Sequence, residues 1–196
     1  DQIQGFFDIP VDHLYASTIF LPYVQSMNLK NLVIASPDVG GSKRASSYAK
    51  YLDCPLVLCN KTRERANVVA TMQIIGDVEG KDVLIIDDMI SSGESVLEVA
   101  AELKSRKANR IFVATTFGLF TSGLEKFDEA YESGLIYRVL TTNLIYQMPE
   151  LLEKPYYINC DMSKYIAYII DTLNHDSSIS DLLNPNDRIH AIIEKY

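Results

Sequence analysis

Val83-Leu84-Ile85-Ile86-Asp87-Asp88-Met89-Ile90-Ser91-Ser92-Gly93-Glu94-Ser95 is the stretch whose reading decides the fold. Four consecutive aliphatic residues, 83–86, lack the alternation of a half-solvated strand. They predict a strand covered on both faces, as in a parallel sheet. Two carboxylates follow, then small hydroxyl residues around a glycine, then Val96, Val99, Ala100 and Leu103 at helical spacing. The unit is strand, loop, helix. Free N–H groups at a helix start, with the axial dipole and serine hydroxyls, suit an anion. Vicinal carboxylates suit hydroxyl groups or a hydrated Mg2+ ion. A ligand satisfying both halves carries a phosphate and a polyol, as a sugar phosphate does. The plainer alternative is that Asp87 and Asp88 end a strand while Ser91 to Ser95 cap a helix, as Asp and Ser routinely do.

Similar units recur on either side. Strand-like runs at residues 31–36, 55–59, 83–86, 110–116, 136–140 and 156–160 have helical patterns between them at 43–52, 95–105 and 124–133. A further helix is predicted at 162–173, a polar stretch at 174–187 and a short last helix at 188–196. This order predicts an α/β fold, a parallel twisted sheet with flanking helices. Ligands in such sheets bind at the carboxyl ends of the strands.

Two more segments there carry chemistry. Asp38-Val39-Gly40-Gly41-Ser42-Lys43-Arg44 follows the first run, and adjacent glycines let backbone N–H groups approach an anion with no Cβ between. A tight strand-to-helix turn would use the same residues, and Lys43 and Arg44 either add charge or open the helix. Asn60-Lys61-Thr62-Arg63-Glu64-Arg65-Ala66-Asn67 follows the second run and places three cations within five residues. It reads as a mobile basic loop or as a solvated charge run.

Composition sets the outer limits. The 196 residues are enough for one good-sized core, or for one domain with trailing pieces. A net charge of −8 opposes nucleic-acid binding, and polyphosphate could be bound only through a local cationic patch or metal ions. No apolar run reaches membrane-span length and no signal peptide is visible. Cys54, Cys59 and Cys160 are odd in number and lack metal-site spacing, as expected of reduced core thiols in a cytoplasmic protein. His13, His175 and His190 are too scattered for a metal site.

The acidic loop resembles the ribose 5-phosphate or phosphoribosyl pyrophosphate loop of type I phosphoribosyltransferase-like proteins. Further segments are similar to one branch, ribose-phosphate pyrophosphokinase (phosphoribosyl pyrophosphate synthetase). They are residues 2–12 (Gln-Ile-Gln-Gly-Phe-Phe-Asp-Ile-Pro-Val-Asp), residues 36–44, Lys61-Thr62-Arg63, residues 66–78, 115–120 and 141–143. The resemblance runs in order from residue 1 to about residue 183.

It implies transfer of the diphosphoryl group of ATP to the C1 hydroxyl of ribose 5-phosphate, giving phosphoribosyl pyrophosphate and AMP, with Mg2+. It implies that Lys61 and Arg63 are catalytic and that Asp87, Asp88, Ser91, Ser92, Gly93, Glu94 and Ser95 bind ribose 5-phosphate. Asp38, Val39, Gly40, Gly41 and Ser42 would cradle pyrophosphate, with Asp38 also a metal ligand. Gln4, Asp12, Ser178 and Ser180 would line an allosteric anion site between subunits.

In domain terms the resemblance implies a remnant of an upstream half at 1–17, a phosphoribosyltransferase-like domain at 18–174 and a returning segment at 175–196. The chain would be the C-terminal half of a synthetase. The upstream half would supply much of the ATP site and a metal-binding His, and the family's dimer-based hexamer implies a homo-oligomer. The chain departs from the family's usual pattern where Ser91 replaces an Asp and Glu94 a Gly. Glu94 sets a carboxylate beside a phosphate unless its side chain turns outward. A non-catalytic regulatory subunit and a salvage phosphoribosyltransferase are the rival readings. Retention of Lys61 and Arg63 opposes the first, and Phe6-Phe7-Asp8-Ile9-Pro10 opposes the second.

Overall fold

A computed structural model describes residues 2–62 and 71–180, and of residues 2, 61, 62 and 71 the backbone alone. After a short 3-10 turn (Gln2–Gly5) come α1 (Ser17–Ser26), β1 (Leu32–Ser36), α2 (Ser42–Tyr51), β2 (Leu56–Thr62), β3 (Thr71–Ile75) and β4 (Asp82–Ile90). There follow α3 (Glu94–Ser105), β5 (Ile111–Gly118), α4 (Glu125–Glu132), β6 (Arg138–Thr142), α5 (Pro149–Leu152), β7 (Tyr157–Cys160) and α6 (Ser163–Asn174). The chain divides into two units, one of residues 28–161 and one of residues 1–27 with 162–196.

The larger unit is a seven-stranded sheet in the order β3-β2-β1-β4-β5-β6-β7. All neighbours pair parallel except β2 and β3, which pair antiparallel. The predicted α/β architecture is therefore what forms. Val83, Leu84, Ile85 and Ile86 are each no more than 1% exposed, so the strand is covered on both faces as its composition requires. Val96, Val99, Ala100 and Leu103 of α3 are buried in the same core, in which each fully buried Val, Leu or Ile side chain contributes about 1.5–3 kcal/mol. α2 buries a slimmer face of Ala45, Tyr48 and Ala49. From β1 the chain passes through α2 to β2 on one side, and from β4 through α3 to β5 on the other. The sheet thus changes its direction of growth between β1 and β4, the place where open α/β sheets bind ligands.

β4 does not stop at Ile86, where the aliphatic run ends. It continues to Ile90, pairing Asp87 with Thr115, Met89 with Phe117 and Ile90 with Gly118 on β5. Ladder hydrogen bonds are made by the backbone and are indifferent to side-chain polarity, so a long neighbour extends the strand past the apolar stretch. The acidic pair thus stands on a strand. α1 is absent from the sequence pattern because Pro22 lies inside it, a residue that ordinarily argues against a helix interior. In the smaller unit, Ile19 of α1 and Ile166 of α6 pack against a cluster of Met162, Tyr165 and Ile169. Among the described residues no helix is long and apolar enough to cross a membrane.

Candidate functional site

The loop after β1 is sewn together by its own side chains. Ser36, fully buried at the strand end, donates its hydroxyl to the Asp38 carbonyl at 2.7 Å. Asp38 Oδ1 accepts the Gly41 N–H, three residues on, at 2.6 Å, and this bond closes the turn leading into α2. A Cβ on Gly41 would lie 3.0 Å from Ser36 Oγ, so a larger residue would push this turn open. Asp38, Val39 and Gly40 are exposed, Ser42 is half-buried, and Gly41 directly precedes the first residue of α2.

Asp87 and Asp88 stand on the adjacent strand. Asp87 Oδ1 accepts the Asp88 N–H at 2.8 Å and Asp88 Oδ1 accepts the Met89 N–H at 2.9 Å. Arg44, in the first turn of α2, reaches across to both carboxylates: Nη1 is 3.4 Å from Asp87 Oδ1 and Nη2 is 3.7 Å from Asp88 Oδ2. α2 and β4 are therefore joined electrostatically by a side chain that the sequence left undecided between charge and helix start. Burial pushes the Asp87 carboxyl up to about 6, against the opposing pull of the Asp88 N–H and of Arg44, with the Asp88 carboxylate adding to the rise.

The loop after β4 is pinned from the neighbouring connection. Its Ile90 and Ser91 carbonyls accept the N–H groups of Leu119 and Thr121 at 2.8 and 3.0 Å. Gly93 precedes α3 with φ +86°, and a Cβ there would fall 2.3 Å from Cε2 of the buried Phe127 ring on α4. Glycine is thus required both by conformation and by space. The Gly93 carbonyl accepts the Leu97 N–H at 3.0 Å, the first bond of the helix, while first-turn N–H groups have no intrahelical partner. The Ser92 hydroxyl lies 3.4 Å from the Glu94 N–H. Glu94 does turn outward. Its Oε1 lies 2.5 Å from Lys126 Nζ on α4, and this bond holds its carboxyl below the usual range.

Other expected residues are placed less fully. The backbone of Lys61 is in β2, opposite Met72 of β3, while Arg63 lies outside the described residues. Gln4, Asp12, Ser178 and Ser180 are exposed in the smaller unit, and Ser178 Oγ bonds the Ser180 side chain at 2.9 Å and its N–H at 3.2 Å, an ST turn. Cys54, Cys59 and Cys160 are free; burial pushes the first two thiols up to about 11 and Cys160 up to about 12. Among the described residues no three or more His, Cys, Asp or Glu are arranged to hold a metal ion by protein donors alone. Mg2+ does not require such a cage; it keeps several waters and is bound by one or two carboxylates plus substrate phosphates. Asp38 and the Asp87–Asp88 pair offer that kind of donor set.

Residues 14–153 match the family model described as the phosphoribosyl transferase domain. The chain belongs to that family. Within it, this phosphoribosyl transferase domain is similar to curated proteins named ribose-phosphate pyrophosphokinase. One from Wolinella succinogenes is 41% identical over 182 residues, 92% of this chain and 57% of the relative. One from Porphyromonas gingivalis is 54% identical over 112 residues, 57% of this chain and 36% of the relative. Among solved structures, phosphoribosylpyrophosphate synthetase from Mycobacterium smegmatis superposes with a TM-score of 0.78 at 29% identity, over 90% of this chain and 56% of that one. The chain spans little more than half the length even of relatives that match nearly all of it.

One participant was left undecided by the sequence pattern and one was not named. Arg44 was read as either adding charge or opening the helix, and its reach to the next strand settles it as a charge beside the acidic pair. Lys126 had no signal at all, because its partner lies 32 residues away on another element.

Proposed function

We propose that the protein is a ribose-phosphate pyrophosphokinase of which this chain supplies the sugar-phosphate and pyrophosphate sites. The observation that carries this reading is the juxtaposition at the β1/β4 switch point. A glycine turn suited to phosphate and an acidic pair suited to vicinal hydroxyls leave neighbouring strands and are bridged by Arg44. Asp87 and Asp88 would accept the ribose hydroxyls, which supply the donors that Arg44 alone does not. Ser91, Ser92, Gly93 and Ser95, at the N-terminus of α3, would hold the 5-phosphate. The turn from Asp38 to Ser42 would orient the transferred diphosphoryl group.

The C1 hydroxyl oxygen then forms a bond to the β-phosphorus of ATP as the bond from that phosphorus to the AMP oxygen breaks. The hydroxyl proton passes to solvent and AMP leaves. Lys61 and Arg63 would close over the phosphoryl oxygens, where charge spreads in the transition state. Asp38 and the Asp87–Asp88 pair would hold Mg2+, which when bound neutralises the polyphosphate. Positioning and electrostatics suffice; no strong base is needed. A dimer-based homo-oligomer in the cytoplasm completes the reading, and the three free thiols support that compartment.

The test is AMP release by the intact gene product from ATP, Mg2+ and ribose 5-phosphate, followed together with phosphoribosyl pyrophosphate. Stoichiometric formation of both supports the reading, and consumption of phosphoribosyl pyrophosphate with a free base instead would overturn it. Lys61→Ala is expected to cut turnover by about a thousandfold and leave ribose 5-phosphate binding nearly intact. Equal loss of both would count against a closing-loop role.

A further inference from the structure

Glu94 is the first residue of α3, directly after Gly93, on a loop that the proposed function assigns to phosphate. A free carboxylate at that place competes with a bound phosphate for the same N–H groups and the same end of the helix dipole. The Glu94 carboxylate has a partner on another element. Lys126 Nζ lies 2.5 Å from Glu94 Oε1. The next residue, Phe127, is fully buried, stacks edge-on against Phe120 at 5.0 Å, and occupies the space that a Cβ on Gly93 would need. α4 is thus seated on the loop through Phe127, and the stem of Lys126 starts from a fixed point beside Glu94. Two observations, the ion pair and the Phe127–Gly93 packing, give Lys126 its reach.

We propose that Lys126 is a positioning residue of the phosphosugar loop: its ion pair with Glu94 holds a carboxylate intrinsic to that loop away from the sugar's phosphate. This rests on the assignment of the loop to ribose 5-phosphate. Its assigned role is exerted through Glu94 and not by contact with the substrate. The pair compensates, within the same protein, for the presence of an acidic residue beside an anion site. Exposed ion pairs are individually weak, so the effect is bounded, and it is directed at binding and not at turnover.

Steady-state kinetics of the intact enzyme at low ionic strength, with ATP saturating and ribose 5-phosphate varied, test this. Lys126→Ala is expected to raise KM for ribose 5-phosphate about three- to fivefold with kcat within about twofold. Adding Glu94→Gln to Lys126→Ala is expected to restore KM to within about twofold of wild type. Raised salt should shrink the Lys126→Ala effect, because the repulsion is screened. Glu94→Gln alone, which retains the folded partner helix, is expected to lower KM about twofold. An unchanged KM in Lys126→Ala overturns the proposal. So does a double variant as weak as Lys126→Ala, which would make Lys126 a direct cation or a structural prop. A rise in KM for Glu94→Gln alone overturns it as well. Failure of the wild-type enzyme to use ribose 5-phosphate fells the loop assignment itself and is seen before any variant is compared.

Discussion

β4 carries one acidic residue at its amino end and another in its carboxyl half, and the two are treated in opposite ways. Asp82, at the amino end, is 2% exposed and saturated: Arg110 grips it with Nη2 at 2.6 Å and Nε at 3.1 Å, and Asn109 Nδ2 donates at 2.8 Å. Burial alone would raise its carboxyl, but the Arg110 bonds outweigh that and hold it below the usual range. Asp87, in the carboxyl half, has one backbone N–H at 2.8 Å and an Arg44 contact stretched to 3.4 Å, and burial carries its carboxyl up to about 6. Among the described residues, the same residue type on the same strand is thus gripped by an arginine fork at Asp82 and held more loosely at Asp87, where the proposed function places the sugar's hydroxyls. Acceptor capacity left over at the carboxyl half of a strand is what the proposed function would use.

The sharpest way to break this contrast is to remove the acids at each end. Asp87→Asn combined with Asp88→Asn should cut kcat/KM for ribose 5-phosphate by about a thousandfold, about 4 kcal/mol, while thermal melting shows little loss of stability. A melt that collapses along with activity would erase the distinction. Asp82→Ala should do the reverse. It strands Arg110 and Asn109 and should cost about 3 kcal/mol in urea unfolding, with KM for ribose 5-phosphate unchanged. Any marked change in that KM would show that the two ends are coupled.

Gly93→Ala should fall between these in kind and cost about 2 kcal/mol. It is strained at φ +86° and meets Phe127, so both unfolding and ribose 5-phosphate affinity should report it. The smallest effect is the pH dependence. The Asp87 carboxyl rises on folding from its ordinary 3.8 to about 6, so the folded state binds more protons than the unfolded state in that window. Its contribution to stability is fully present below the lower value and is lost as pH rises through the upper one. Stability of unliganded wild type relative to Asp87→Asn should therefore decline as pH rises across that interval. A flat difference would mean that Asp87 is solvated much like a free carboxylate.

Much of this architecture could be read along the chain. The runs at 83–86 and 110–116 were legible because strands buried on both faces have no alternation to obscure them. Gly41 and Gly93 were legible because glycines after a strand mark a strand-to-helix turn, and the folded chain leaves little or no room for a Cβ at either. β4's true end at Ile90 was not, since it depends on how far β5 offers a partner. α1 was hidden by Pro22, and the Arg44 bridge by the lack of any local reason for an arginine to face one carboxylate and not another.

The alternation of strand and helix from β4 to β6, the glycine turns and the acidic pair are local properties, set by which residues follow one another, and so the primary structure alone determined them. Only the folded arrangement decided that β1 lies against β4, bringing the turn at residues 37–41 beside the loop at 87–95. It alone decided that Arg44 meets Asp87 and that Glu94 is drawn off by Lys126. Those contacts join residues 43 and 32 positions apart, and their energies exist only after strand pairing and helix packing have closed the intervening chain.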